Sequence, residues 1–121
     1  MLNHIDIMGR MTADPELRMT NTQKSVCSFR IACDRDTTGE QKCDFVGVVT
    51  WGQTAEFVSK YFTKGTMVAV SGRLQMRDWT DRNGNKKTEA EIVADRVYFG
   101  ERKAKDEPKF EPVPDTEGLP F

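Results

Sequence analysis

The sequence has a single histidine, His4, and three cysteines, Cys27, Cys33 and Cys43, with no pair at C-x-x-C spacing. A structural zinc site needs four closely spaced ligands. Metal is therefore not expected, and nothing in the chain implies a cofactor. An odd number of cysteines, without a basic segment followed by an apolar one in Met1-Leu2-Asn3-His4-Ile5-Asp6, suits a reducing cytoplasm rather than a secreted protein. Cys27 and Cys33 share a strand parity, which fits packing. Uncharged apolar runs extend over only a few residues, far short of the roughly 20 that a membrane helix requires. Nucleophile elbow, phosphate loop, dinucleotide fingerprint and H-E-x-x-H motif are all missing. Glu89 and Glu91 share a parity and could be taken for paired carboxylates. The plainer reading is charged residues on an exposed strand, so an enzyme is not expected.

What is present is a polar chain of one-domain length, 121 residues with 31% charged and 37% hydrophobic side chains. The net charge of −1 hides an asymmetry. Residues 106–121 carry five acids against Lys109 alone, whereas residues 1–105 hold 17 basic and 14 acidic side chains. A mildly basic body with an acidic tail implies two different partners, one of them anionic. Four of the five prolines follow Gly100. Residues 101–121 therefore read as a disordered linker and tail, and residues 1–100 as the folded domain.

Alternation of apolar and polar residues marks strands over 3–10, 25–34, 44–51, 67–79 and 87–99. Residues 12–16, with Pro15, read as a turn. Residues 54–62 give the one convincing helix, with Ala55, Val58, Tyr61 and Phe62 near one face, Phe57 broadening the stripe, and Gly65 as a left-handed stop. Asn83-Gly84 predicts a tight hairpin turn between the last two strands. Three strands, one helix and a long hairpin follow the order of an all-β, five-stranded Greek-key barrel of the oligonucleotide-binding type. A general α+β sandwich has a compatible order.

The informative feature is the composition of the polar parities. Phe45 and Trp51 share a face of the third strand; Arg73, Gln75, Arg77 and Trp79 share a face of the fourth. Aromatic rings beside long cationic and amide side chains suit a flat, anionic ligand. Single-stranded nucleic acid meets both needs, because bases stack on rings while cations neutralise phosphates, with little demand on base identity. The competing reading buries both tryptophans in the core or an oligomer contact. Arg82, Lys86 and Lys87 near the hairpin could extend the path or merely solvate the loop.

Several stretches, taken in order, resemble the bacterial and phage single-stranded DNA-binding protein family. They are Asn3-His4-Ile5-Asp6-Ile7-Met8-Gly9-Arg10, Asp14-Pro15-Glu16-Leu17-Arg18, Asp44-Phe45, Trp51-Gly52, Ala55-Glu56, Tyr61 with Lys64-Gly65, Ser71-Gly72-Arg73-Leu74-Gln75, Trp79, Val93-Ala94-Asp95-Arg96-Val97 and the terminal Leu119-Pro120-Phe121. The resemblance implies an oligonucleotide-binding barrel that forms a homotetramer and wraps single-stranded DNA, in the cytoplasm with the nucleoid. It implies stacking roles for Phe45, Trp51 and Trp79, and phosphate or base roles for Arg73, Gln75 and Arg77. It also implies a tail, here Asp115, Glu117, Leu119, Pro120 and Phe121, that recruits replication, repair and recombination proteins. His4, Met8 and Tyr98 are candidates for the subunit interface. Thr22-Gln23 departs from the Asn-Gly-like turn usual in the family, and Thr88 from a position that is often aromatic.

Overall fold

The structure, a computed structural model, describes residues 1–36, 39 and 42–101. Its elements are β1 (Ile5–Met11), β2 (Glu16–Met19), β3 (Ser25–Asp34), β4 (Cys43–Trp51), α1 (Gly52–Tyr61), β5 (Met67–Thr80) and β6 (Lys86–Phe99). The sheet runs β1-β5-β6-β4-β3-β2, and a further β1–β3 pairing closes it. β1 and β2 lie along the same edge of β3: Met11 faces Ile31, and Glu16 faces Ser28. They are two halves of one barrel strand, interrupted by the Pro15 segment. The five-stranded Greek-key expectation therefore holds, with its first strand broken in two.

Residues 12–16 form a turn only in part, since Glu16 already opens β2. That strand escapes sequence reading because all four of its residues are exposed and nothing alternates. In β3, by contrast, Cys27, Phe29 and Ile31 turn inward at every second position. They meet Val48, Val68, Val70, Ile92, Ala94 and Val97 in a single core. Of the cysteines, Cys27 is buried, Cys33 half-buried and Cys43 exposed, all as free thiols.

α1 seals one end of the barrel. Ala55 and Val58 are fully buried, and Phe62, one residue past the helix, is 1% exposed. Full burial of such a ring contributes about 1.5–3 kcal/mol. Phe62 also stacks on Phe99, with ring centroids 4.4 Å apart. Tyr61 was expected on this face but is exposed, lying against Phe57 instead. Gly65 has φ +88°, yet it does not cap the helix. It serves a four-residue turn closed by Thr66 N–H donating to Thr63 O, and its own N–H reaches Met11 O.

Two further backbone details shape the barrel. β6 pairs Arg96 with Ser71 but Ala94 with Gly72. Asp95 is thus an extra residue, and the bulge reverses which parity of β6 faces inward. Opposite it, a Cβ on Gly72 would lie 2.1 Å from Val93 O, so only glycine fits. The β5–β6 connection places Asp81 N–H on Asn85 O and Gly84 N–H on Asp81 O. Of its residues only Gly84 has positive φ, which gives a three-residue loop with a glycine bulge, a tight hairpin at the expected Asn83-Gly84. In the β2–β3 connection Gln23 takes φ +62°, the left-handed position that an Asn-Gly-like turn would fill with glycine.

The expected tail, residues 102–121, lies outside the described residues. No described helix is long and apolar enough to cross a membrane.

Candidate nucleic-acid interface

Residues paired directly across a sheet project to the same side, so the strand register decides whether the singled-out residues meet. Gly47 of β4 pairs with Arg30 of β3 and with Glu91 of β6, and Glu91 pairs with Gln75 of β5. That row crosses the outer face of the barrel. The next row carries Glu16, Ser28, Val49, Val93 and Arg73. Arg18, Val26 and Trp51 form the row at one end, and Trp79 faces Lys87 at the other. Phe45 lies beside Ala32, and Arg77 faces Glu89. Phe45, Trp51, Arg73, Gln75, Arg77 and Trp79 thus share one surface formed by four strands.

Their exposure is what distinguishes a binding face from a core. Phe45 is 58% exposed, Trp51 47% and Trp79 39%. The reading that buries the tryptophans inside the barrel is therefore excluded. Trp51 lies four residues past Gly47, and Lys87, the partner of Trp79, four residues before Glu91. β4 and β6 run parallel, so the two indoles are about 26 Å apart along the strand direction. Phe45 falls between them. Arg73 donates to Gln75 Oε1 at 3.0 Å, which orders two polar side chains on β5.

Register also adds Arg18 and Arg30, which reading strands singly overlooked, and gives Lys87 of the hairpin a place beside Trp79. Arg18, Arg30 and Lys87 join Arg73 and Arg77 as cations on this face. Arg30 is the one charged residue within the alternating part of β3. That was the available signal, but only the pairing to Gly47 gives it a place. The two glutamates considered as a carboxylate pair are here as well. Glu89 is 3.7 Å from Arg30 and Glu91 4.0 Å from Arg77, so each faces a cation and not the other carboxylate. A hollow bordered by β2, β3, β4, β5 and β6 is lined in part by Glu16, Ser28, Arg30, Gly47, Arg77 and Glu91.

At the base of the β3–β4 loop, Arg35 donates two hydrogen bonds to the Asp44 carboxylate, at 2.9 and 2.8 Å. Those bonds hold the Asp44 carboxyl below its ordinary range, with burial opposing and the charge of Arg35 assisting. The pair braces the strand end just before Phe45.

Comparison with known proteins decides the family. Residues 2–100 match the single-strand binding protein family along essentially the whole described barrel. This chain belongs to that family. Among its relatives, a single-stranded DNA-binding protein 1 of Clostridium acetobutylicum is 43% identical over 106 residues, spanning 84% of this chain and 96% of the relative. A single-stranded DNA-binding protein 1 of Staphylococcus aureus is 40% identical over 110 residues, 88% of this chain and 70% of the relative. A single-stranded DNA-binding protein of Caldanaerobacter subterraneus is 40% identical over 107 residues, 86% and 71% respectively. Within the family match fall all six side chains of the candidate face.

Another stretch of the barrel's outer surface, at the start of β5, is different in kind. Met8 pairs with Ala69, and Ala69 with Tyr98. Met8 is 52% and Tyr98 51% exposed, and a mainly apolar hollow lies between Met8, Ala69 and Tyr98. His4 lies beyond this row, 3.1 Å from Asp6.

Proposed function

We propose that this protein binds single-stranded DNA across the outer face of β3, β4, β6 and β5, with little base preference. One observation carries the reading: three exposed aromatic rings and five cations occupy one side of one sheet. Bases stack on Trp79, Phe45 and Trp51, each contact worth about 1–3 kcal/mol. Arg73 and Lys87 meet phosphates, while Gln75, tethered by Arg73, and Arg77, beside Glu91, offer polar groups to base edges or sugar. Family membership supports the same ligand, as do the names of the relatives. The protein supplies no catalytic group to the strand; its work is to hold and shield it.

The finer parts of the reading rest on other features. A single small barrel offers few phosphate contacts, and the Met8–Tyr98 flank leaves apolar surface uncovered. Both favour a homotetramer that one strand can wrap. Asp115, Glu117, Leu119, Pro120 and Phe121 form the segment that recruits replication, repair and recombination proteins, with the aromatic side chain and carboxylates as its handles. The protein acts in the cytoplasm, with the nucleoid.

The test is an equilibrium titration that follows tryptophan fluorescence. Single-stranded oligonucleotides are expected to quench the emission to saturation. Log affinity is expected to fall with log salt by about 0.7 per phosphate contacted. Equal affinity for duplex of the same length, or saturation without quenching, would refute the proposal.

A further inference from the structure

The candidate face is not uniformly basic. Trp51 and Trp79 lie toward its two ends with Phe45 between them, while its centre is crossed by β6, which presents Glu89 and Glu91 between the cationic strands. Arg30 comes from β3, two strands away from Glu89. It reaches across β4 at Gly47, where a Cβ would sit 3.8 Å from its Nη1, and stops 3.7 Å from the Glu89 carboxylate. Arg77 approaches from the other side of β6, 4.0 Å from Glu91. Glu91 is the more enclosed carboxylate, its side chain 17% exposed against 39% for Glu89. Glu16 and Asp14 border the same hollow. Two arginines are thus drawn toward a central acidic rib.

We propose that Glu89 and Glu91 are specificity-determining residues that exclude phosphates from the centre of the face and admit bases there. This rests on the reading of the face as a single-strand binding surface. A phosphate laid over β6 meets two carboxylates whose nearest cations are already engaged, and like charges at short range oppose it. A base laid over β6 carries no charge and meets no such opposition. A single strand can rotate its bases toward the sheet and its phosphates outward, where Arg73 and Lys87 stand. A duplex cannot, because its base faces are stacked inside and its outer surface is lined by phosphates. Without the rib, the same arginines would attract any polyanion. With it, affinity depends on unstacked bases.

The test compares three ligands of equal length: oligo(dT), an abasic single strand that keeps the phosphodiester backbone, and duplex DNA. Each is titrated against the full chain and its Glu89→Gln, Glu91→Gln and Glu89→Gln/Glu91→Gln variants at one fixed low salt concentration. The double variant is expected to bind the abasic strand and the duplex about fivefold more tightly. That is the order expected for removing two like charges several ångströms from a phosphate in water. Affinity for oligo(dT) is expected to change less than twofold. Glu89→Gln alone, at the more exposed position, is expected to give about half that effect on the same logarithmic scale and guards against misfolding of the double variant. An equal gain for all three ligands, or no gain for the abasic strand and duplex, would overturn the proposal. Trp79→Ala is titrated in parallel. If it weakens oligo(dT) binding while the glutamate variants leave the ligand ratios unchanged, the binding face stands and the role of the rib falls. If it leaves oligo(dT) binding untouched, both fall.

Discussion

Trp79→Ala is the substitution with the clearest expected outcome. Trp79 lies one residue before the end of β5, on the arm that β5 and β6 extend beyond the core. It faces Lys87 across the hairpin and is 39% exposed. It takes no part in the buried cluster, which on β5 ends at Val70. Removing the indole should therefore cost little folding stability, within the ±0.5 kcal/mol usual for surface changes. Its cost in binding is the loss of one stacked base, about 1–3 kcal/mol, or a roughly 5- to 150-fold weaker Kd for an oligonucleotide long enough to cover the face. Trp51 remains as the reporter, since the chain has two tryptophans, so quenching should persist at a higher ligand concentration. The salt slope should stay close to that of the wild type, because no cation has been removed. The assay is a fluorescence titration at several salt concentrations, with thermal unfolding as the control. An unchanged Kd with intact folding would refute the reasoning, as would a loss of affinity that appears only through a lower slope.

Other outcomes follow from the backbone, the ion pairs and the tail. Gly72→Ala is expected to destabilise the barrel by about 1–3 kcal/mol, since the new Cβ would meet the backbone of Val93 and Ala94; an unchanged urea midpoint would contradict the close approach. The carboxyl of Asp44 is held low by its hydrogen bonds from Arg35, and that of Glu101 by its bonds from Arg10. A lowered folded-state value means a stabilisation that is complete above the ordinary carboxylate range and is lost as pH falls through the lowered value. Thermal stability should therefore decline below about pH 4, and Asp44→Asn should make that decline shallower; identical pH profiles would remove the pair from the account. Deleting Leu119, Pro120 and Phe121 should leave oligonucleotide affinity unchanged while abolishing capture of replication and repair proteins, measured by pull-down; loss of DNA binding would contradict the division of labour.

Much of the barrel was legible because alternation is a local signal. β3 begins and ends where its pattern does, and β5 runs one residue further than read. The places that were not legible each involve something nonlocal. β2 has no alternation to read and exists because it continues β1 along β3. The reversal of parity in β6 comes from a single extra residue, Asp95, that shows only in the pairing with β5. Tyr61 has helical spacing to Val58 but lies against Phe57, whereas Phe62 turns into the core beside Phe99. On the candidate face, parity placed Phe45 and Trp51 on one strand and Arg73 through Trp79 on another, yet it could not say that the two sides coincide. The parallel β4–β6 pair supplies that link, and with it the position of Glu89 and Glu91 between the arginines. Sequence alone left those glutamates as solvated charges; across strands they face Arg30 and Arg77.

The central claim is that one strand of DNA lies over the outer face of β3, β4, β6 and β5. Amide hydrogen exchange, with and without saturating oligo(dT), tests it most directly. Protection is predicted in peptides covering residues 43–51, 73–80 and 86–93. Peptides from α1 and from the Met8 segment of β1 should not gain protection in a form whose subunit assembly is unchanged by DNA. Protection centred on α1, with none on 43–51 or 73–80, would contradict the account.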